Sequence, residues 1–114
     1  YHLSSCDTCQ RIIKELELAE NGFEFQDVKI ENISAEQLDA VKEKVGSYEA
    51  IFSRRAIKFR SMGLNEMNLS ENEYRNYILE EYTFLKRPVI WMGDEVFVGN
   101  AKKTIEAARS ALNE

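Results

Sequence analysis

The stretch YHLSSCDTCQRII, residues 1–13, sets the reading of the whole chain, because a strand ends and a helix begins within it. Tyr1-His2-Leu3 reads as the tail of a strand, and an upstream residue or two of that strand is expected before Tyr1. Asp7 or Thr8 can cap a helix in which Ile12, Ile13, Leu16 and Ala19 recur at helical spacing. Asn21-Gly22, residues that tolerate a left-handed backbone, are the expected stop. Phe23, Phe25 and Val28 then read as a second strand. Strand, helix and strand in this order predict a parallel crossover unit.

Downstream, Ser34-Ala35-Glu36-Gln37 is a capping-box pattern with the apolar stripe Leu38, Val41 and Val45 behind it. Residues 48–64 read as short helices, with Gly63 as a stop. Ser70-Glu71-Asn72-Glu73 is a second capping box, opening a helix with Tyr74, Ile78 and Tyr82 on one side. Val89-Ile90-Trp91-Met92 and Val96-Phe97-Val98 flank Gly93-Asp94-Glu95, a hairpin by composition. Asn100 is the expected cap of a last helix carrying Ala101, Ile105, Ala108 and Leu112. The order β-α-β, helical insert, β-β-α predicts an α/β protein: a thioredoxin-like (glutaredoxin-like) mixed four-stranded sheet with helices on both faces. Nothing marks a linker or repeat, so residues 1–114 are expected to form one domain with a helical insert at about 48–85.

The 114 residues are 44% hydrophobic and 31% charged, a composition suited to a packed soluble core rather than disorder. No apolar run approaches membrane-spanning length, and no signal peptide is evident. The net charge of −5 argues against direct nucleic-acid or membrane-surface partners. Two cysteines are too few for a secreted disulfide framework, so a reducing cytoplasm is expected.

Those cysteines, Cys6 and Cys9, stand three positions apart at the start of the first helix. A closed structural zinc site needs four ligands, and the chain offers two cysteines and one histidine, so no metal is expected. Free cysteine is often an inert buried hydrophobe. Here, however, Cys6 falls where unpaired backbone N–H groups and the helix dipole favour negative charge, which lowers a thiol's pKa. Cys9, one turn later, can attack an adduct formed at Cys6. His2 either supports the Cys6 thiolate from the adjacent strand or is satisfied there by backbone.

A second feature is cationic. Arg54, Arg55, Lys58 and Arg60 crowd one segment of an acidic protein, and Lys86-Arg87 precede the only proline, Pro88. In a thioredoxin-like fold that proline is cis and its loop faces the active-site cysteine, so Arg87 would turn its planar fork toward Cys6. Such a fork suits an oxyanion or carboxylate.

Three pieces together resemble the arsenate reductase family with the glutaredoxin-type fold, which also includes transcription regulators of the Spx type. They are Tyr1-His2 followed by Cys6-x-Thr8-Cys9; Phe52-Ser53-Arg54-Arg55 with Phe59; and Leu85-Lys86-Arg87-Pro88-Val89-Ile90. The resemblance implies a bacterial oxidoreductase with Cys6 as nucleophile, assisted by His2 and Thr8. Arg87 and one of Arg54 or Arg55 would hold the oxyanion; Arg55 keeps the family's spacing to Phe59. It also implies no bound cofactor, glutathione as co-substrate and glutaredoxin as the protein that completes reduction. The Spx-type alternative implies a Cys6–Cys9 redox switch and RNA polymerase α subunit as partner. Two departures from the well-studied reductases stand out: many carry serine where Cys9 stands, and Val98-Gly99-Asn100 lacks their third arginine. The unrelated phosphatase-like reductases need C-x5-R, and that position here is Ile12, which excludes them.

Overall fold

In the computed structural model the described residues are 1–3 and 5–112; Ser4 of the opening stretch, and Asn113 and Glu114 at the end of the expected domain, lie outside them. The chain forms two compact units, Tyr1–Glu31 with Arg87–Glu114, and Asn32–Lys86. The second unit takes in more than the expected insert, since it also holds the first capping-box helix.

In the first unit, Leu3 accepts a hydrogen bond from the Cys6 N–H (3.0 Å), so the chain turns directly into α1, Asp7–Glu15. Cys6 itself is the N-cap, one residue before the expected Asp7. The helix stops far earlier than Asn21-Gly22. Glu17 takes a positive φ of 53°, Leu18 N–H bonds the Ile13 carbonyl and Glu17 N–H that of Lys14, the paired bonds of a Schellman end. The reason is burial: Leu16 and Leu18 both enter the core, and residues two apart cannot share one helix face. Ala19 is accordingly exposed.

The four-stranded sheet is reduced to two regular strands among the described residues, β1 (Val89–Met92) and β2 (Glu95–Val98). They pair antiparallel with Val89 opposite Val98 and Met92 opposite Glu95. Gly93 opens the two-residue turn with φ 62°, where a hairpin of this length favours glycine. The other two expected strands survive as single contacts. His2 and Asp27 form an isolated parallel bridge, with His2 N–H to Gln26 O at 3.0 Å and Val28 N–H to His2 O at 2.8 Å. On its other side Tyr1 exchanges backbone bonds with Val89, at 2.8 and 2.9 Å. Phe25 is 44% exposed instead of facing a core.

Helix α5, Lys102–Leu112, begins where the Ala101 carbonyl accepts the first bond from Ile105, so the cap position is Ala101 and the expected cap, Asn100, stands one residue before it. Its Ile105 and Ala108 close on Ile12, Leu16, Leu18 and Ile90. Burying an aliphatic side chain of this kind contributes about 1.5–3 kcal/mol.

In the second unit both capping boxes form. Ser34 and Gln37 start α2, Ala35–Val45; Ser70 and Glu73 start α4, Glu71–Glu80. Between them lie two single turns of 3-10 helix and the short α3, Ile57–Ser61, with Gly63 at φ 72° ending it as expected. Phe52 is the hub, with its ring stacked on Phe84 (5.0 Å) and against Tyr74 (4.9 Å) and Phe59 (5.9 Å). No helix among the described residues is long and apolar enough to cross a membrane.

Candidate active site

The Cys6 N–H to Leu3 carbonyl bond and the N-terminus of α1 put Cys6 half-buried at the helix mouth and Cys9 fully buried one turn in. Both thiols are free. The Cys6 side chain closes no formal capping bond, yet its surroundings act on the sulfur. Partial burial raises its pKa. The Cys9 backbone N–H, the Cys9 thiol, the Arg87 guanidinium and the Thr8 backbone N–H together outweigh that and hold it below an ordinary thiol. Thr8 thus contributes through its amide. Cys9 goes the other way: burial, with the hydrogen bond and charge of Cys6, pushes it to about 11 against the opposing Leu3 backbone and Arg87 charge. One sulfur is poised to ionise, and the other stays a thiol that donates to it.

Arg87 reaches this pair from the loop before β1, where the Arg87-Pro88 bond is cis and Pro88 is buried. The Pro88 carbonyl accepts from Gly99 N–H at 2.9 Å, tying the loop to the end of β2. Two guanidinium nitrogens, Nε and Nη1, are buried without a hydrogen-bond partner among the described residues. An unpartnered buried donor is costly, roughly 1–3 kcal/mol and more for a charged group, so these nitrogens are suited to accept an anion.

His2 is placed on the neighbouring bridge. Its ring packs edge-on against Phe25 (5.6 Å) and its Nδ1 is buried without a partner. Burial lowers its pKa against the opposing Asp27 carboxylate, which favours the neutral imidazole. His2 is not among the groups that shift Cys6.

Arg54 and Arg55 belong to the second unit. Arg54 Nη2 donates to Glu49 Oε1 (2.9 Å) and to the Tyr74 hydroxyl (3.0 Å). Arg55 is exposed. Sequence reasoning expected unpaired backbone N–H groups at Cys6 without naming them; they are those of Thr8 and Cys9, and it missed the Leu3 backbone's bond to Cys9, because main-chain groups leave no residue-type signal. No cluster of three or more metal-ligating side chains occurs among the described residues.

Comparison with known proteins follows this geometry. Among curated proteins none matches. In structure the chain is similar to the YffB protein, at 25% identity and TM-score 0.83, over 98% of this chain and 96% of that one. It is also similar to an arsenate reductase (ArsC) related protein from Brucella melitensis, at 28% identity and TM-score 0.71, covering 94% and 89%. An arsenate reductase from Vibrio cholerae shares the fold at 19% identity and TM-score 0.72, covering 94% and 92%. The mixed α/β arrangement is therefore the thioredoxin-like one of ArsC structures. A sequence model of the ArsC family matches residues 1–108, so the chain belongs to the ArsC family.

Proposed function

We propose that the chain is a thiol-dependent oxidoreductase of the arsenate reductase type, working in a reducing cytoplasm. The observation that carries this reading is the ionisable Cys6 sulfur under the charge of an Arg87 whose Nε and Nη1 have no partner. The Cys6 thiolate attacks the arsenic of arsenate and displaces an oxygen as water, forming a sulfur–arsenic(V) ester. Arg87 holds the remaining oxygens. Within the second unit, Glu49 and Tyr74 already engage Arg54. Glutathione attacks the ester and a glutaredoxin thiol follows. Their two electrons reduce arsenic(V) to arsenic(III), and the two thiols leave joined as a mixed disulfide. Hydrolysis of the sulfur–arsenic(III) bond frees arsenite and Cys6.

Arsenate-dependent NADPH oxidation, coupled through glutathione, glutaredoxin and glutathione reductase, tests the assignment. Wild type gives a signal that Cys6→Ser brings to the no-enzyme baseline. Equal signals from both, or none from wild type, remove it.

A second reading rests on the thiol–thiol hydrogen bond between Cys9 and Cys6. In it, a disulfide or peroxide oxidant takes two electrons from the pair to close a Cys6–Cys9 bond, and the two states differ in binding to RNA polymerase α subunit. Pull-down with that subunit in both thiol states tests it; absence of capture in both ends it.

A further inference from the structure

The second unit holds a half-open pocket of about 460 Å³, within the roughly 300–1,000 Å³ range of small-ligand clefts. Phe59, Leu64, Met67 and Tyr74 supply apolar wall; Glu49 and Arg54 supply one charge of each sign. The aromatic side is rigid, since Phe59 and Tyr74 both pack on the buried Phe52. Arg54 is held over the Tyr74 ring at 5.9 Å and uses only Nη2 for its bonds to Glu49 Oε1 and the Tyr74 hydroxyl. Nε and Nη1 of Arg54, and Oε2 of Glu49, have no partner among the described residues. Asn65 and Asn68 add side-chain amides at the rim.

A cation and an anion 2.9 Å apart, each with unused hydrogen-bonding atoms, make a site of zero net charge. A ligand bearing only one charge matches one of them and faces the other as a like charge. A ligand bearing both, one carbon apart, matches both. We propose that this pocket binds a free α-amino acid with an apolar or aromatic side chain as its zwitterion. The carboxylate lies on Arg54 Nε and Nη1, the ammonium on Glu49 Oε2, and the side chain against Phe59, Leu64 and Met67. The inference is independent of the chemistry assigned to Cys6.

The test is titration of the full ¹⁵N-labelled chain with phenylalanine, 3-phenylpropionate and phenethylamine, followed by amide shifts. Phenylalanine is expected to saturate with shifts centred on residues 49–74, and each single-charge analogue to bind at least about fivefold more weakly, as loss of a charge-assisted hydrogen bond requires. Arg54→Gln, shown by its melting curve to be folded, is expected to lose the phenylalanine response. Either analogue binding within about fivefold of phenylalanine, saturation absent at about 50 mM, or an unchanged response in folded Arg54→Gln overturns the proposal; these thresholds lie far weaker than typical specific binding. The analogue comparison needs no variant, so it decides the matter even if Arg54→Gln fails to fold.

Discussion

At the scale of single residues, two sulfurs one helical turn apart are driven in opposite directions. Cys6 is lowered by backbone amides, a neighbouring thiol and Arg87 in spite of its burial, whereas Cys9 is raised to about 11, chiefly by burial. Removing the Cys9 thiol deletes one donor to the Cys6 anion and leaves the Cys9 amide in place. Cys9→Ala is therefore expected to move the Cys6 alkylation midpoint upward, read by iodoacetamide labelling against pH; a midpoint that falls or stays put speaks against the thiol as donor. In the second unit Asp39 accepts from Arg75 Nε (2.9 Å) and Nη2 (3.2 Å) and from the Tyr48 hydroxyl (2.6 Å), which bring its pKa to about 2. A carboxyl depressed on folding stabilises the native state fully above its unfolded pKa, about 3.9, and that contribution fades as pH falls through the folded value. The stability advantage of wild type over Asp39→Asn in urea is thus expected to shrink between about pH 4 and pH 2. An advantage that is constant across that window contradicts the assignment.

At the scale of elements, local chemistry was legible wherever a side chain bonds to its own backbone. Both capping boxes and the Gly63 stop follow from residue type alone. Elements whose limits depend on distant packing were not. The end of α1 is set by burying Leu16 and Leu18 together, which forces Glu17 into a left-handed conformation that a glycine adopts without penalty. Glu17→Gly is accordingly expected to leave stability unchanged or raise it by up to about 1 kcal/mol in chemical denaturation, whereas glycine in a helix interior would lower it. A loss of about 1 kcal/mol or more would mean that the helix runs on through residue 17. Of the strand expected at residues 23–28, the structure forms a single parallel bridge, Asp27 with His2.

At the scale of the whole molecule, the order of elements, the parallel crossover and the hairpin were readable from periodicity and turn residues. The four-stranded sheet was not: among the described residues two regular strands form, and His2 with Asp27 remains an isolated bridge. Of the site, Cys6, Cys9, Arg87 and the cis Pro88 stand together in the first unit, as the C-x-x-C and Arg-Pro patterns imply. Burial of the Arg87 Nε and Nη1 atoms is a property of packing and leaves no trace in composition. His2 lies on the neighbouring bridge, and Arg54 is engaged within its own unit. The thiol chemistry proposed for the first unit depends on Cys6 being ionised near neutral pH with the help of Arg87. Iodoacetamide labelling of Cys6 against pH, in wild type and Arg87→Ala, tests that most directly. The account predicts a wild-type midpoint below the free-thiol value of about 8.5 and a higher one in the variant. A wild-type midpoint at or above that value, or one that Arg87→Ala leaves unmoved, would contradict it.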